Sequence, residues 1–266
     1  IPAEPLFRSK VTIYIFGIDN LVALGSSAWI QYLAAATILV ASLVALSRDN
    51  LKARLAYSTV SQLSYIVLAS LLGSALGTLG GAMHIAMHAF GKITLFFCAG
   101  AIMVASHKTE ISQMRGLGRK MPITFFCFLI GSLSIIGLPP FGGVWSKWYL
   151  LLGAADINEV IFILILMISS LLNVAYLIPI VIRGFYNENL EIDQEYPSKT
   201  HYTENRRLLD PGDAVANNVW RVRGFHEAPA TCIGALSFTA LGCVVLFFYA
   251  DTLFRFLHPI VSGGAP

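Results

Sequence analysis

The stretch that decides the fold is His84–Phe97, HIAMHAFGKITLFF. It is apolar enough to sit in a bilayer, yet it carries two histidines and a lysine. His84, His88 and Lys92 fall at i, i+4 and i+8, one narrow stripe of a helix. Lys92 is the midpoint of the apolar run Leu79–Ala105. At about 1.5 Å per residue that run is ~40 Å long, enough to cross a ~30 Å hydrocarbon core with some tilt. A lysine at mid-bilayer costs about 2.5–3.5 kcal/mol on insertion scales, so such a residue faces a protein interior or a wet cavity and marks an ion or proton path.

The rest of the chain agrees with a membrane setting. Of its 266 residues, 56% are hydrophobic and 12% charged, and the mean hydropathy is +0.70. Soluble domains carry about 25% charged residues. The net charge of +3 is too small to point to nucleic acid. The sequence therefore reads as an all-α, polytopic membrane protein. Apolar spans are expected over Ala28–Ser47, Leu55–Leu72, Leu79–Ala105, Met121–Gly137, Val144–Ala154, Asn158–Phe185 and Ala230–Leu257, with a remnant of a further helix in Val11–Leu24. The organisation follows: 1–27 as the remnant of an upstream helix, 28–185 as the main transmembrane domain, 186–229 as a polar loop with a surface helix, and 230–258 as a last transmembrane helix. The opening IPAEPLFRSK is neither a methionine start nor a signal peptide and reads as the continuation of an upstream part.

Two basic connections, Arg48–Arg54 and Ser106–Lys120, are separated by two spans and so fall on one side, which the positive-inside rule makes cytoplasmic. The Tyr186–Pro229 stretch has eight acids against five bases. Leu55–Leu72 is studded with Tyr57, Ser58, Thr59, Ser61, Gln62, Ser64 and Tyr65, a density that favours packing against other helices over contact with lipid. Cys98, Cys127, Cys232 and Cys243 all lie in apolar runs without CxxC spacing, and read as small buried hydrophobes.

Only Lys92 and Lys147 are candidate charges for the membrane interior. Lys147 follows GLPPFGG, Gly137–Gly143, a stretch that breaks a helix. Backbone freed at membrane depth is tolerated only where protein or water covers it, and discontinuous helices of this kind recur at ion sites in transporters. His84, His88, Lys92 and Lys147 are therefore the candidate proton relay, because imidazoles titrate near neutrality and burial brings lysines toward the same range. Other readings stand beside this one. His84 and His88 also suit helix packing. Lys147 also suits an interface, beside Trp145, Trp148 and Tyr149. A metal site on the histidine pair lacks the glutamate and any nearby carboxylate that would complete it.

Three segments, DNLKARLAYSTVSQLSYIVLA (Asp49–Ala69), HIAMHAFGKITLFFCAGAI (His84–Ile102) and IGLPPFGGVWSKWYLL (Ile136–Leu151), resemble the proton-conducting membrane subunits shared by complex I and the Mrp-type cation/proton antiporters, the antiporter D subunit above all. The resemblance runs from about Val11 to Phe185. It implies a fold of two inverted five-helix repeats, with this chain holding the end of the first and the whole of the second, including a broken helix at the Pro-Pro-Phe-Gly-Gly stretch. It implies that Lys92, His84 and His88 lie on the central helix and Lys147 on the broken one. The first-half glutamate–lysine pair of the family would lie upstream of Ile1, and Ala28–Ser47 lacks the lysine or histidine that some relatives carry there.

The expected function is proton translocation in Na+ or K+/proton antiport, by a subunit of a hetero-oligomeric complex in the cell (inner) membrane. Other membrane subunits, the lipid bilayer, H+ and Na+ or K+ are the expected partners. No cofactor is expected, and no catalytic residue. The alternatives are a proton-pumping membrane-arm subunit of an NADH–quinone oxidoreductase or membrane-bound hydrogenase, and a non-conducting structural subunit or truncated copy.

Overall fold

The computed structural model describes residues 28–186, 220–222 and 225–261. The expected helix remnant in 1–27 and most of the polar loop, with its surface helix, lie outside the described residues.

Helix α1 (Ala28–Ser47) carries no ionisable side chain and packs against α2 (Leu51–Leu71). Helix α2 starts four residues before the apolar run does. The reason is Asn50, whose side chain accepts from the Ala53 amide at 3.1 Å and caps the first turn. Helix α3 (Ala75–Ser106) likewise starts early, at an N-cap provided by Ser74, and at 32 residues is about 48 Å long. The two basic connections lie together on one face. Leu51 N donates to Thr109 O, Ile111 N donates to Asp49 O, and Asn50 Nδ2 donates to Glu110 Oε1.

A short helix α4 (Leu117–Lys120) leads into α5 (Pro122–Ile136), and α6 (Gly143–Asp156) follows after a six-residue connection. At 15 and 14 residues, α5 and α6 are each about 20 Å long, too short to cross a ~30 Å core alone. Helix α7 (Val160–Phe185) is the most hydrophobic span. A two-stranded antiparallel ribbon, β1 (Trp220–Val222) and β2 (Phe225–Glu227), ends the polar loop.

The expected last span Ala230–Leu257 is not one helix. It divides at Tyr249 into α8 (Ala230–Phe248) and α9 (Ala250–Val261). One 28-residue helix would be about 42 Å long and would carry Asp251 and Arg255 into lipid. Instead those two side chains pair at 2.9 Å on the exposed face of α9. Its other face, Leu253, Phe254 and Leu257, packs on Leu79, Met83 and Met87 of α3.

Among the described residues four helices, α1 (from Trp29), α3, α7 and α8, are long and apolar enough to cross a membrane. Their outer faces expose Val40, Leu171, Phe238 and other large apolar side chains. The interior, by contrast, holds fully buried Ser42, Ser58, Ser61, Gln62, Ser132, Ser146, Ser169 and Asn173. This polarity, apolar outside and polar groups within, most of them hydrogen-bonded, suits helices packed in lipid.

Candidate functional site

The site lies where α3, α6, α2 and α7 meet. Close backbone contact between α3 and α6 sets it up. A Cβ on Gly153 would sit 2.3 Å from Gly77 Cα, and one on Gly80 would sit 2.7 Å from Leu150 N. Only glycine allows that approach, and it brings α3's histidines against the start of α6. His84 Nδ1 and Ser146 Oγ are 2.9 Å apart. The rings of His84 and His88 stack at 5.7 Å, and Tyr65 of α2 stacks on His84 at 5.6 Å. The Nε2 atoms of both histidines are buried with no hydrogen-bond partner among the described residues.

Lys92 is 5% exposed. Its Nζ donates to Ser58 Oγ at 2.6 Å and to Leu55 O at 3.3 Å, both on α2. It therefore does not snorkel toward either surface. Ser58 Oγ lies 2.8 Å from the Tyr176 hydroxyl, which donates to Asn173 Oδ1. Tyr176 has one proton to give and gives it to Asn173, so Ser58 donates to Tyr176 and accepts from Lys92.

Lys147 is 8% exposed, while Trp145 and Trp148 on the same helix face outward. Its Nζ donates to Ile136 O at 3.0 Å and to Ser170 Oγ at 3.1 Å, and lies 5.4 Å from the centre of the Tyr65 ring. The placement does not match an interfacial lysine. It does match a cation at the C-terminal end of α5, where unpaired carbonyls and the helix dipole favour positive charge. The Gly137 cap, at φ +87°, turns the chain so that Lys147 can reach back to that carbonyl. A cavity of about 620 Å³, walled mostly by apolar side chains of α6 and α7, opens beside Lys147 and Ser170.

The structure thus places His84, His88 and Lys92 along one helix and brings Lys147 to the His84 end of that row through Ser146 and Tyr65. No hydrogen bond joins Lys92 directly to His88. The sequence reading missed Asn173, Tyr176, Ser146 and Ser170. The signal for Asn173 and Tyr176 was present in α7, where Ser169, Asn173 and Tyr176 recur at i, i+4 and i+7 in an otherwise apolar run. Among the described residues no three His, Cys, Asp or Glu side chains converge as metal ligands would.

Glu227 supplies a second buried polar centre, on the face of the basic connections. Its Oε1 accepts from the Ile123 amide at 2.7 Å, and its Oε2 accepts from Thr124 Oγ1 at 2.7 Å. Helix α5 has no capping side chain of its own, and this carboxylate from β2 caps it.

Residues 9–173 match the family described as NADH:quinone oxidoreductase/Mrp antiporter, transmembrane. The chain is 39% identical over 150 residues to NADH-quinone oxidoreductase subunit N of Desulforudis audaxviator (strain MP104C), a match covering 56% of this chain and 30% of that relative. It is 32% identical over 236 residues to NADH-quinone oxidoreductase subunit L of Mycobacterium tuberculosis (strain CDC 1551 / Oshkosh), covering 86% of this chain and 33% of that relative. The chain spans about a third of the length of these curated relatives. Its fold is that of a chain in the Mrp complex from Dietzia sp. DQ12-45-1b, with a TM-score of 0.72 at 21% identity, covering 93% of this chain and 51% of that one.

Proposed function

The chain belongs to the NADH:quinone oxidoreductase/Mrp antiporter transmembrane family, and from that premise we propose that it translocates protons across a membrane through Lys92, His88, His84 and Lys147. The observation that carries this reading is a pair of buried lysines whose hydrogen-bond partners are hydroxyls and carbonyls rather than carboxylates. Among the described residues no carboxylate pairs with either lysine, so no ion pair locks it in the charged form and each can gain and lose a proton. The unpartnered Nε2 atoms of His84 and His88 stand between them, with the valences that bridging water fills. At low dielectric, charging one lysine raises the cost of charging the other, which couples their protonation. Lys147 sits on the α5–α6 segment, which we read as one discontinuous helix, and the chain as the second of two inverted five-helix repeats. The proposed division is 28–185, 186–229 and 230–258, in a multi-pass subunit of the cell (inner) membrane held among other membrane subunits.

Two couplings are open to such a subunit. The names of the curated relatives favour a redox-driven complex, in which this chain carries protons and others carry electrons. The fold shared with the Mrp complex supports Na+ or K+/proton antiport. Proton movement into inverted vesicles holding the assembled complex separates them. Flux started by NADH and indifferent to Na+ and K+ supports the redox reading. Flux started by Na+ or K+ without NADH supports antiport. The absence of either leaves the chain a structural subunit and refutes the proposal.

A further inference from the structure

Helices α2 and α7 meet along a polar seam. On α2, Ser58, Ser61, Gln62 and Tyr65 fall at i, i+3, i+4 and i+7, and on α7, Ser169, Asn173 and Tyr176 fall at i, i+4 and i+7, so each set occupies one helix face. They pair in rungs. Ser58 meets Tyr176 at 2.8 Å, Gln62 Nε2 donates to Asn173 Oδ1 at 3.4 Å, and Ser61 Oγ lies 3.5 Å from Ser169 Oγ. The Tyr65 hydroxyl donates to Leu166 O at 3.4 Å, a carbonyl one turn before Ser169 and Ser170 on α7. One end of the seam receives Lys92 through Ser58, and the other receives Lys147 through Ser170.

Helix cohesion in lipid needs some interhelical hydrogen bonds, each worth about 1 kcal/mol. It does not need a set that starts at one buried lysine and ends at the other. At the centre of the seam, Gln62 Oε1 and Asn173 Nδ2 are buried and unpartnered among the described residues. One is an acceptor and the other a donor, the two valences that a single water fills.

We propose that this seam is a second proton connection between Lys92 and Lys147, parallel to the histidines of α3. It rests on the proton-translocating reading above. The Lys92 ammonium gives a proton to Ser58 Oγ as Ser58 passes its own to Tyr176, and Tyr176 turns its hydroxyl proton from Asn173 to a water held by the amide pair. That water passes one of its protons to Ser169. Ser169 passes its own proton to Tyr65, Tyr65 turns its hydroxyl proton from Leu166 O to Ser170, and Ser170 hands its own to the neutral amine of Lys147. Lys92 ends as an amine and Lys147 as an ammonium, and no hydroxyl or water keeps an extra proton. Gln62 and Asn173 are positioning residues that hold the water.

The test compares proton flux in vesicles holding the assembled complex, with assembly read by co-purification of the partner subunits. In the otherwise unaltered complex, Tyr176→Phe lowers flux less than about tenfold, because the histidines still carry protons. In a His84→Gln/His88→Gln background, flux persists with an increased solvent deuterium effect, and adding Tyr176→Phe lowers it by about tenfold or more. Ser58→Ala reproduces the effect and replaces Tyr176→Phe if that variant fails to assemble. The seam is refuted if the histidine double variant has no flux, if Tyr176→Phe acts by the same factor in both backgrounds, or if it abolishes flux alone. Lys92→Met separates the two readings. Unchanged flux in that variant overturns proton translocation and the seam with it, whereas lost flux there, with Tyr176→Phe silent in the His84→Gln/His88→Gln background, overturns the seam alone.

Discussion

Replacing Gly153 with alanine tests whether the α3–α6 contact holds the site together. A Cβ there would lie 2.3 Å from both Gly77 Cα and Gly77 N, backbone atoms that cannot rotate away. Carbon atoms rest at about 3.5–4.0 Å, so the two helices must separate by more than about 1 Å. Carried along α6, that displacement stretches the 2.9 Å His84–Ser146 contact to about 4 Å, beyond hydrogen bonding. Overpacking of this kind costs about 1–3 kcal/mol, while removing a helical glycine returns about 1 kcal/mol of backbone entropy, for a net loss of about 1 kcal/mol. Gly100 is the control, because a Cβ there meets nothing within 4 Å. Gly100→Ala keeps the entropy gain of about 0.5–1 kcal/mol without the clash. Thermal unfolding of the purified complex, with proton flux measured alongside, is therefore expected to rank Gly100→Ala above the unaltered protein and Gly153→Ala below it, with flux reduced only in the latter. If both glycines respond alike, or Gly153→Ala is as stable and active as the unaltered protein, the close contact does not position the histidines.

Glu227→Ala removes the carboxylate that caps α5 and leaves the Ile123 amide and Thr124 hydroxyl without that acceptor, so a loss of about 2–3 kcal/mol is expected in denaturant or thermal melts, with Glu227→Gln in between. Lys147→Met strands the Ile136 carbonyl and removes the proposed terminal proton carrier. Flux should be lost while the complex still assembles, and normal flux would remove Lys147 from the path. Asp251→Asn breaks an exposed i, i+4 pair and should change the melting behaviour by no more than about 0.5 kcal/mol.

Much of the membrane architecture can be read from the sequence, because a charge inside an apolar run is a sharp signal. Lys92 and Lys147 stand out for that reason, and the glycine–proline stretch before Lys147 announces the end of α5. What escapes is anything that depends on partners distant in sequence. Asn173 and Tyr176 look like minor polar residues in α7 until α2, more than a hundred residues earlier, presents Gln62 and Ser58 to them. Glu227 is one of eight acids in a polar loop, and nothing local marks it as the cap of a helix a hundred residues before it. The division at Tyr249 escapes because the residues on both sides are apolar, and only the amphipathic pattern of Asp251, Arg255, Leu253 and Leu257 separates α9 from a continuing span. Helix starts are set by caps rather than by hydrophobicity, which is why α2 and α3 begin four residues before their apolar runs.

The central claim is that Lys92 carries protons, and flux through Lys92→Ala in the assembled complex tests it most directly. In inverted vesicles, at equal assembly and equal driving force, the account predicts that flux collapses. Flux equal to that of the unaltered complex would contradict it and leave Lys92 as a packing residue that bonds Ser58 and Leu55.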